Sequence, residues 1–257
     1  MAKPYFGTTR PIAFAHRGGV FDGIENSMEA FERCVAMGYR YLETDVHLTK
    51  DGVVVAVHDP TLERTTDRAG RVRDLTWAEV SKAKIGGTAT IPRLDDLLDA
   101  FPDVRLNIDA KVADVVTPLA ELLVSRGRAD LERVCLASFS DARIRKLRGL
   151  TGGAAAYSMG PAEIGRLRVA SFSRRAQRYL PLPGDVAQVP VTVRGRRIVD
   201  RRFVQTAHDL GKQVHVWTID DPDEMRRLLD LDVDAIMTDE PQVLKDVLID
   251  RGQWHAA

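Results

Sequence analysis

Strand-like runs alternate with helix-like runs over most of the chain, and this alternation restricts the fold more than any other feature. Successive β and α runs lead to a parallel sheet with helices packed outside it, because each parallel crossover needs a dozen or more residues. The strand-like runs are 11–16 (PIAFAH), 41–49 (YLETDVHLT), 53–59 (VVVAVHD), 104–111 (VRLNIDAK), 133–139 (RVCLASF), 154–159 (AAAYSM), 185–191 (DVAQVPV), 213–219 (QVHVWTI) and 234–239 (DAIMTD). Between most of them lie stretches with 3.6-residue apolar periodicity, such as 27–38, 115–127, 199–211 and 221–232, several closing on glycine.

One link breaks the pattern. Runs 41–49 and 53–59 are joined only by Lys50-Asp51-Gly52, too short for a parallel crossover and suited to an antiparallel hairpin. Removing the return strand leaves eight parallel strands, the number of a closed barrel. The expectation is an α/β chain forming a (β/α)8 TIM barrel, with a short hairpin and an insertion at about 60–92 after the second strand. Residues 1–257 are expected to form one such catalytic domain.

Charge excludes some partners. Thirty-seven Lys and Arg balance thirty-seven Asp and Glu, so nothing pulls the chain as a whole towards nucleic acid or anionic lipid, and any anion site is local. The basic stretch 172–185 could touch lipid or be a solvated helix end. Cys34 and Cys135 read as two buried free thiols in a reducing compartment. No apolar run approaches the ~20 residues of a membrane span, and a cytoplasmic location is expected. Oligomeric state is left open.

In such barrels the chemistry sits at the C-terminal ends of the strands. Those ends hold His16-Arg17-Gly18-Gly19, Glu43-Thr44-Asp45, Asp109-Ala110-Lys111, Ser138-Phe139, Tyr157-Ser158, Gln188-Val189-Pro190, Trp217-Thr218 and Thr238-Asp239. Glu43 and Asp45 share a face, since strand side chains alternate, and Asp109 ends the next parallel strand. Three such carboxylates suit a hard cation, Ca²⁺ or Mg²⁺, or else a cluster neutralised by Arg17 or Lys111 without metal. The hairpin brings His58 opposite Glu43 and Asp45, while His16 ends the neighbouring strand. Two imidazoles facing a phosphoryl group could serve as general base and general acid. Arg17 and Lys111 could hold phosphate oxygens, and Trp217 could wall an alcohol moiety. Asn26 reads as a helix cap, His47 and His215 as structural, and His208 and His255 as surface residues.

Several segments together resemble the glycerophosphodiester phosphodiesterase family over nearly the whole chain. They are AHRGG (15–19), IENSMEAF (24–31), LETDVHLTKDGVVVAVHDPTLERTTDRAG (42–70), IPRLDDLL (91–98), LNIDAK (106–111), ASF (137–139), VHVWTID (214–220) and IMTDEP (236–241). The resemblance implies a (β/α)8 barrel, a divalent metal ion (Ca²⁺ or Mg²⁺) and hydrolysis to sn-glycerol 3-phosphate and an alcohol, in lipid and glycerol metabolism. By position it implies His16 and His58 as the acid–base pair, Glu43, Asp45 and Asp109 as metal ligands, and Arg17 and Lys111 as phosphate contacts. The family commonly has glutamate where this chain has Asp109. The short 60–92 segment implies an open mouth. Alternatives are lysophospholipase D-like or phosphoinositide phospholipase-like activity, or a catalytically silent barrel that binds glycerophosphodiesters.

Overall fold

The computed structural model describes residues 3–173 and 180–255. Residues 174–179, in the middle of the basic stretch 172–185, therefore lie outside the described residues. Eight parallel strands follow one another as β1 (Ile12–Ala15), β2 (Tyr41–Leu48), β4 (Arg105–Ala110), β5 (Val134–Ala137), β6 (Ala156–Tyr157), β7 (Val186–Val189), β8 (Gln213–Val216) and β9 (Ala235–Thr238). β3 (Val54–Ala56) is the antiparallel return strand, pairing Val46 with Ala56 and Leu48 with Val54. Around the sheet the order is β6-β5-β4-β2-β1-β9-β8-β7. The ring closes on a single parallel bridge between Ser158 and Val186, supported by the Met159 N–H donating to Val186 O at 2.8 Å. The chain is thus an eight-stranded βα barrel with the narrowest pairing between β6 and β7.

The hairpin turn is specified locally. Thr49 Oγ1 donates to Asp51 at 2.7 Å and accepts the Val53 N–H at 2.9 Å, and Gly52 takes φ 85°, which favours glycine. Helices α1 (Met28–Ala36), α2 (Trp77–Val80), α3 (Leu94–Ala100), α4 (Val116–Arg126), α5 (Arg128–Glu132), α6 (Asp141–Leu150), α7 (Pro161–Ala170), α8 (Arg201–Asp209), α9 (Pro222–Leu229) and α10 (Pro241–Asp250) complete the described helices. α1 starts on Ser27, whose side chain accepts the Ala30 N–H, so Ser27 and not Asn26 is the cap.

Side-chain alternation divides every strand into two faces. Leu42, Val46, Leu106, Ile108, Val134 and Leu136 point outwards into one apolar cluster with the helices. The inward set changes character along the barrel axis. Its floor is apolar, with Phe14, Tyr41 and Met237 joined by Tyr5 and Phe6 of the N-terminal turn Pro4–Phe6. His215 is fully buried against Phe6 and Phe14, and burial drives its pKa down to about 3, so it is a neutral core residue. Above it Gln188 Nε2 donates to Asn107 Oδ1 at 2.7 Å. The top layer is charged. Residues 57–92 leave the barrel after β3 and carry their own apolar cluster, including Val57, Leu62, Val72, Val80, Ile85 and Ile91.

His208 is half-buried at the opposite end of the barrel rather than free on the surface, with Nε2 2.8 Å from Asp234 Oδ2. The same carboxylate accepts the Val214 N–H at 2.8 Å and pairs with Arg10. The Asp234 hydrogen bond raises the His208 pKa. A histidine whose pKa is raised by folding contributes stability that is complete below its unfolded value of about 6.5 and lost as pH rises through the folded value. Chemical denaturation should therefore show stability falling as pH rises above about 6.5, and Asp234→Asn should flatten that slope.

Candidate active site

The inward positions at the top of the barrel bring most of the sequence-picked residues together. Glu43, Asp45 and His47 share the inner face of β2, and register sets Asp45 beside Asp109 of β4. All four side chains are buried, Glu43 and Asp45 to within 5% of full burial. Lys111, two residues past Asp109 on the same face, reaches back to Asp45 Oδ1 at 2.8 Å and Asp109 Oδ2 at 3.1 Å.

Electrostatics sorts these acids. Burial and the neighbouring Asp45 raise the Glu43 carboxyl to about 8. Burial pushes Asp45 up as well, but Lys111 and Arg17 more than offset it and hold Asp45 below the usual carboxylate range. Asp109 stays raised because burial outweighs Lys111. Its Oδ1 is buried with no hydrogen-bond partner. An unpaired buried carboxylate oxygen is costly, and a hard cation would relieve it. Among the described residues, however, no three such side chains already surround a common point. Lys111 stands between Asp45 and Asp109.

His16 follows β1 in a tight turn, His16–Gly18, with Arg17 at φ 54° and Gly18 at φ 78°. A Cβ on Gly18 would lie 2.7 Å from the Phe31 ring, so glycine is required both by conformation and by space. The turn aims the Arg17 N–H at Glu43 Oε2, 3.0 Å away, and Arg17 Nη1 at Glu25 Oε1, also 3.0 Å. Arg17 Nε lies 3.4 Å from Asp45 Oδ2 and makes no hydrogen bond. Asn26 ties Asp45 to Thr44, donating to the first at 3.3 Å and accepting from the second at 2.7 Å.

Each rim histidine has a carboxylate of its own. His16 Nδ1 is 2.7 Å from Asp239 Oδ1, and His16 Nε2 is 3.7 Å from Glu43 Oε2. Burial pulls the imidazole down, yet Glu43 and Asp239 together outweigh it and raise its pKa. His58 lies just past β3, where the Val57 N–H donates to Asp45 O at 2.9 Å. Its Nδ1 is 2.6 Å from Asp59 Oδ1. His47 Nε2 is 3.1 Å from the carbonyl oxygen of His58, and burial keeps His47 below the ordinary histidine range.

A cleft of about 340 Å³ opens over this layer, lined by His58, Asp59, Asp109, Lys111, Phe139 and Arg143 among others. His16, Arg17, Glu43 and Trp217 do not line it directly. Lys111 and Asp45 connect it to Arg17, and Trp217 meets the exposed Phe139 edge-to-face at 5.5 Å. Sequence reasoning gave no role to Asp239, Asp59, Phe139 or Arg64. Strand parity could have found Asp239, because Ala15 pairs with Thr238 and the next residues are His16 and Asp239.

Fold and rim define a class: a βα barrel that carries two imidazole–carboxylate pairs beside buried acids and cations at the C-terminal ends of its strands. The chain belongs to the glycerophosphoryl diester phosphodiesterase family, whose pattern matches residues 16–243. It is 41% identical over 249 residues to the Mycobacterium tuberculosis protein named "Probable glycerophosphodiester phosphodiesterase 2", covering 96% of this chain and 94% of that one. It is 30% identical over 278 residues to a lysophospholipase D of Mus musculus, covering 91% and 85%. The structure of an Oleispira antarctica phosphodiesterase in complex with the product sn-glycerol-3-phosphate shares the fold, with a TM-score of 0.77 at 22% identity over 93% of this chain and 97% of that one. Asp239→Asn keeps the shape of the His16 partner but removes its charge, and should lower kcat on a glycerophosphodiester by about 10²-fold with the melting temperature little changed.

Proposed function

We propose that the mouth hydrolyses glycerophosphodiesters to sn-glycerol 3-phosphate and an alcohol, with His16 and His58 as its acid–base pair. One observation carries the reading: both rim histidines have Nδ1 within 2.7 Å of a dedicated carboxylate, Asp239 and Asp59. A carboxylate there favours the tautomer with the proton on Nδ1, and leaves Nε2 for the reacting atoms. One imidazole accepts the proton of the attacking glycerol hydroxyl as its oxygen bonds to phosphorus. The bond from phosphorus to the leaving alkoxide breaks, and the other imidazole gives that oxygen a proton. Water then opens the cyclic phosphate with the two roles exchanged. Arg17 and Lys111 would hold phosphate oxygens while charge develops.

Glu43, Asp45 and Asp109 are the residues that would hold a divalent cation, Ca²⁺ or Mg²⁺. The unpaired Asp109 Oδ1 and the raised Glu43 carboxyl support this assignment. When bound, such an ion would supply positive charge to the phosphoryl oxygens. We take residues 1–257 as one catalytic unit with the short insertion at about 60–92 as its cap. Buried, unpaired Cys34 and Cys135 support a reducing, cytoplasmic setting. No helix among the described residues is long and apolar enough to cross a membrane.

The apolar edge of the mouth supports a second substrate class. Phe139 is 61% exposed beside the half-buried Trp217, a surface suited to the acyl chain of a lysophospholipid. Turnover of glycerophosphocholine and of a lysophospholipid should be comparable, and a strict preference for the former would count against an open mouth.

Release of glycerol 3-phosphate from glycerophosphocholine should stop under exhaustive EDTA and return with added metal. Activity that survives chelation would remove the metal from the scheme. His16→Ala and His58→Ala should each lower kcat by roughly 10²-fold or more without unfolding the chain. Glu43→Gln should weaken metal affinity and be partly rescued by excess metal.

A further inference from the structure

The guanidinium of Arg64 belongs to the 57–92 excursion, outside the barrel, yet it joins the two sides of the mouth. Its Nε donates to Asp59 Oδ2, while Asp59 Oδ1 faces His58 Nδ1. Its Nη1 and Nη2 donate to Glu25 Oε2 and Oε1 at 3.1 and 2.6 Å. Glu25 Oε1 in turn accepts from Arg17 Nη1 at 3.0 Å. An unbroken chain thus runs from His58 through Asp59, Arg64 and Glu25 to Arg17. We infer that Arg64 is a positioning residue for the reaction proposed above, orienting the His58 ring through Asp59 and the Arg17 guanidinium through Glu25.

The electrostatics agrees with the geometry. Burial raises Asp59 and Glu25, and Arg64, together with His58 beside Asp59 and Arg17 beside Glu25, more than offsets it, so that each carboxyl stays below its ordinary value. Arg64 itself is raised, chiefly by its bond to Glu25. Without this guanidinium two carboxylates that now share one cation would repel each other. Asp59 would be free to rotate, and the His58 ring would lose its fixed orientation. A planar fork can grip two carboxylates in different directions, which a single ammonium group cannot.

A merely structural role predicts something else. The excursion is already held by its apolar cluster, by the Ala56 N–H donating to Pro92 O at 3.0 Å, and by the Trp77 N–H donating to Asp51 at 2.8 Å. The Arg64 side chain is 48% exposed, so its removal uncovers little apolar surface, and half-exposed ion pairs add little stability. Loss of an anchor would therefore be nearly silent. Loss of alignment would not, because a displacement of about 1 Å near reacting atoms costs on the order of 10²-fold in rate.

The test is steady-state kinetics on glycerophosphocholine at saturating divalent metal. Arg64→Ala should lower kcat by about 10-fold or more, with KM within about threefold of wild type and the melting temperature nearly unchanged. Added guanidinium ion should restore part of the lost kcat, and Arg64→Lys should recover less than half of it. In a His58→Ala background Arg64→Ala should cause a clearly smaller further loss, the part carried through Glu25 and Arg17 alone, since one of the two groups it aligns is gone. Wild-type kcat in Arg64→Ala, or the same fractional loss in both backgrounds, would overturn the inference. Should Arg64→Ala fail to fold, Asp59→Asn probes the same link: a kcat loss at unchanged KM supports it, and unchanged kcat overturns it. A wild-type protein that releases no glycerol 3-phosphate overturns the hydrolytic reading and this inference together, whereas an active wild type beside an unaffected Arg64→Ala overturns the inference alone.

Discussion

Burying carboxylates next to one another is the constraint around which the mouth is built. Glu43, Asp45 and Asp109 occupy inward positions on two adjacent strands, nearly sealed from solvent. Three uncompensated charges there would cost far more than the stability of an ordinary domain. Lys111 and Arg17 answer that demand from the two flanks, each engaging Asp45, and Glu43 answers it by a raised pKa. The compensation is incomplete by one oxygen, Asp109 Oδ1. A site with a residual demand for positive charge is suited to a cationic cofactor and an anionic ligand together, whereas a fully satisfied network would resist both.

Parity explains why so much of this was legible from the sequence. Once the runs at 41–49 and 104–111 are strands, Glu43, Asp45 and Asp109 must share an inward face. The three-residue Lys50-Asp51-Gly52 link returns His58 to that face. Those deductions need only the period of two and the length of a crossover. Asp59, Arg64 and Glu25 escaped for a different reason. They sit in loops, where no period relates sequence spacing to direction, and Arg64 meets Glu25 across 39 residues. Asn26 shows the same limit. Its position beside a helix start suggests a cap, but Ser27 takes that role and Asn26 turns inwards to Asp45. Asn26 itself adopts a positive φ of 47°, which nothing in the local pattern announces.

The barrel separates stability from chemistry along its axis. Its floor is sealed by Tyr5, Phe6, Phe14 and Tyr41, with His215 held neutral among them, and the Asp234–His208–Arg10 group clasps the outside of the same end. Titration there affects folding and lies far from the rim. At the top the same alternation presents titratable groups with opposed shifts, Glu43 raised and Asp45 lowered although two residues apart. Environment, not residue type, assigns their charge states.

The remaining asymmetry lies between Asp109 and Lys111. The Asp109 side chain is short, so its carboxylate stays close to the barrel wall. From there one oxygen meets Lys111 at 3.1 Å and the other meets nothing. Lys111 has the length and freedom to bridge the gap to Asp45, and a compact ammonium can be displaced towards a phosphate without breaking a paired fork. Arg17 is differently placed. Its guanidinium is already committed on one side to Glu25, and through Glu25 to Arg64. One cation of the mouth is therefore adaptable and the other is fixed. That is the division of labour expected where a phosphoryl group must be both admitted and aligned.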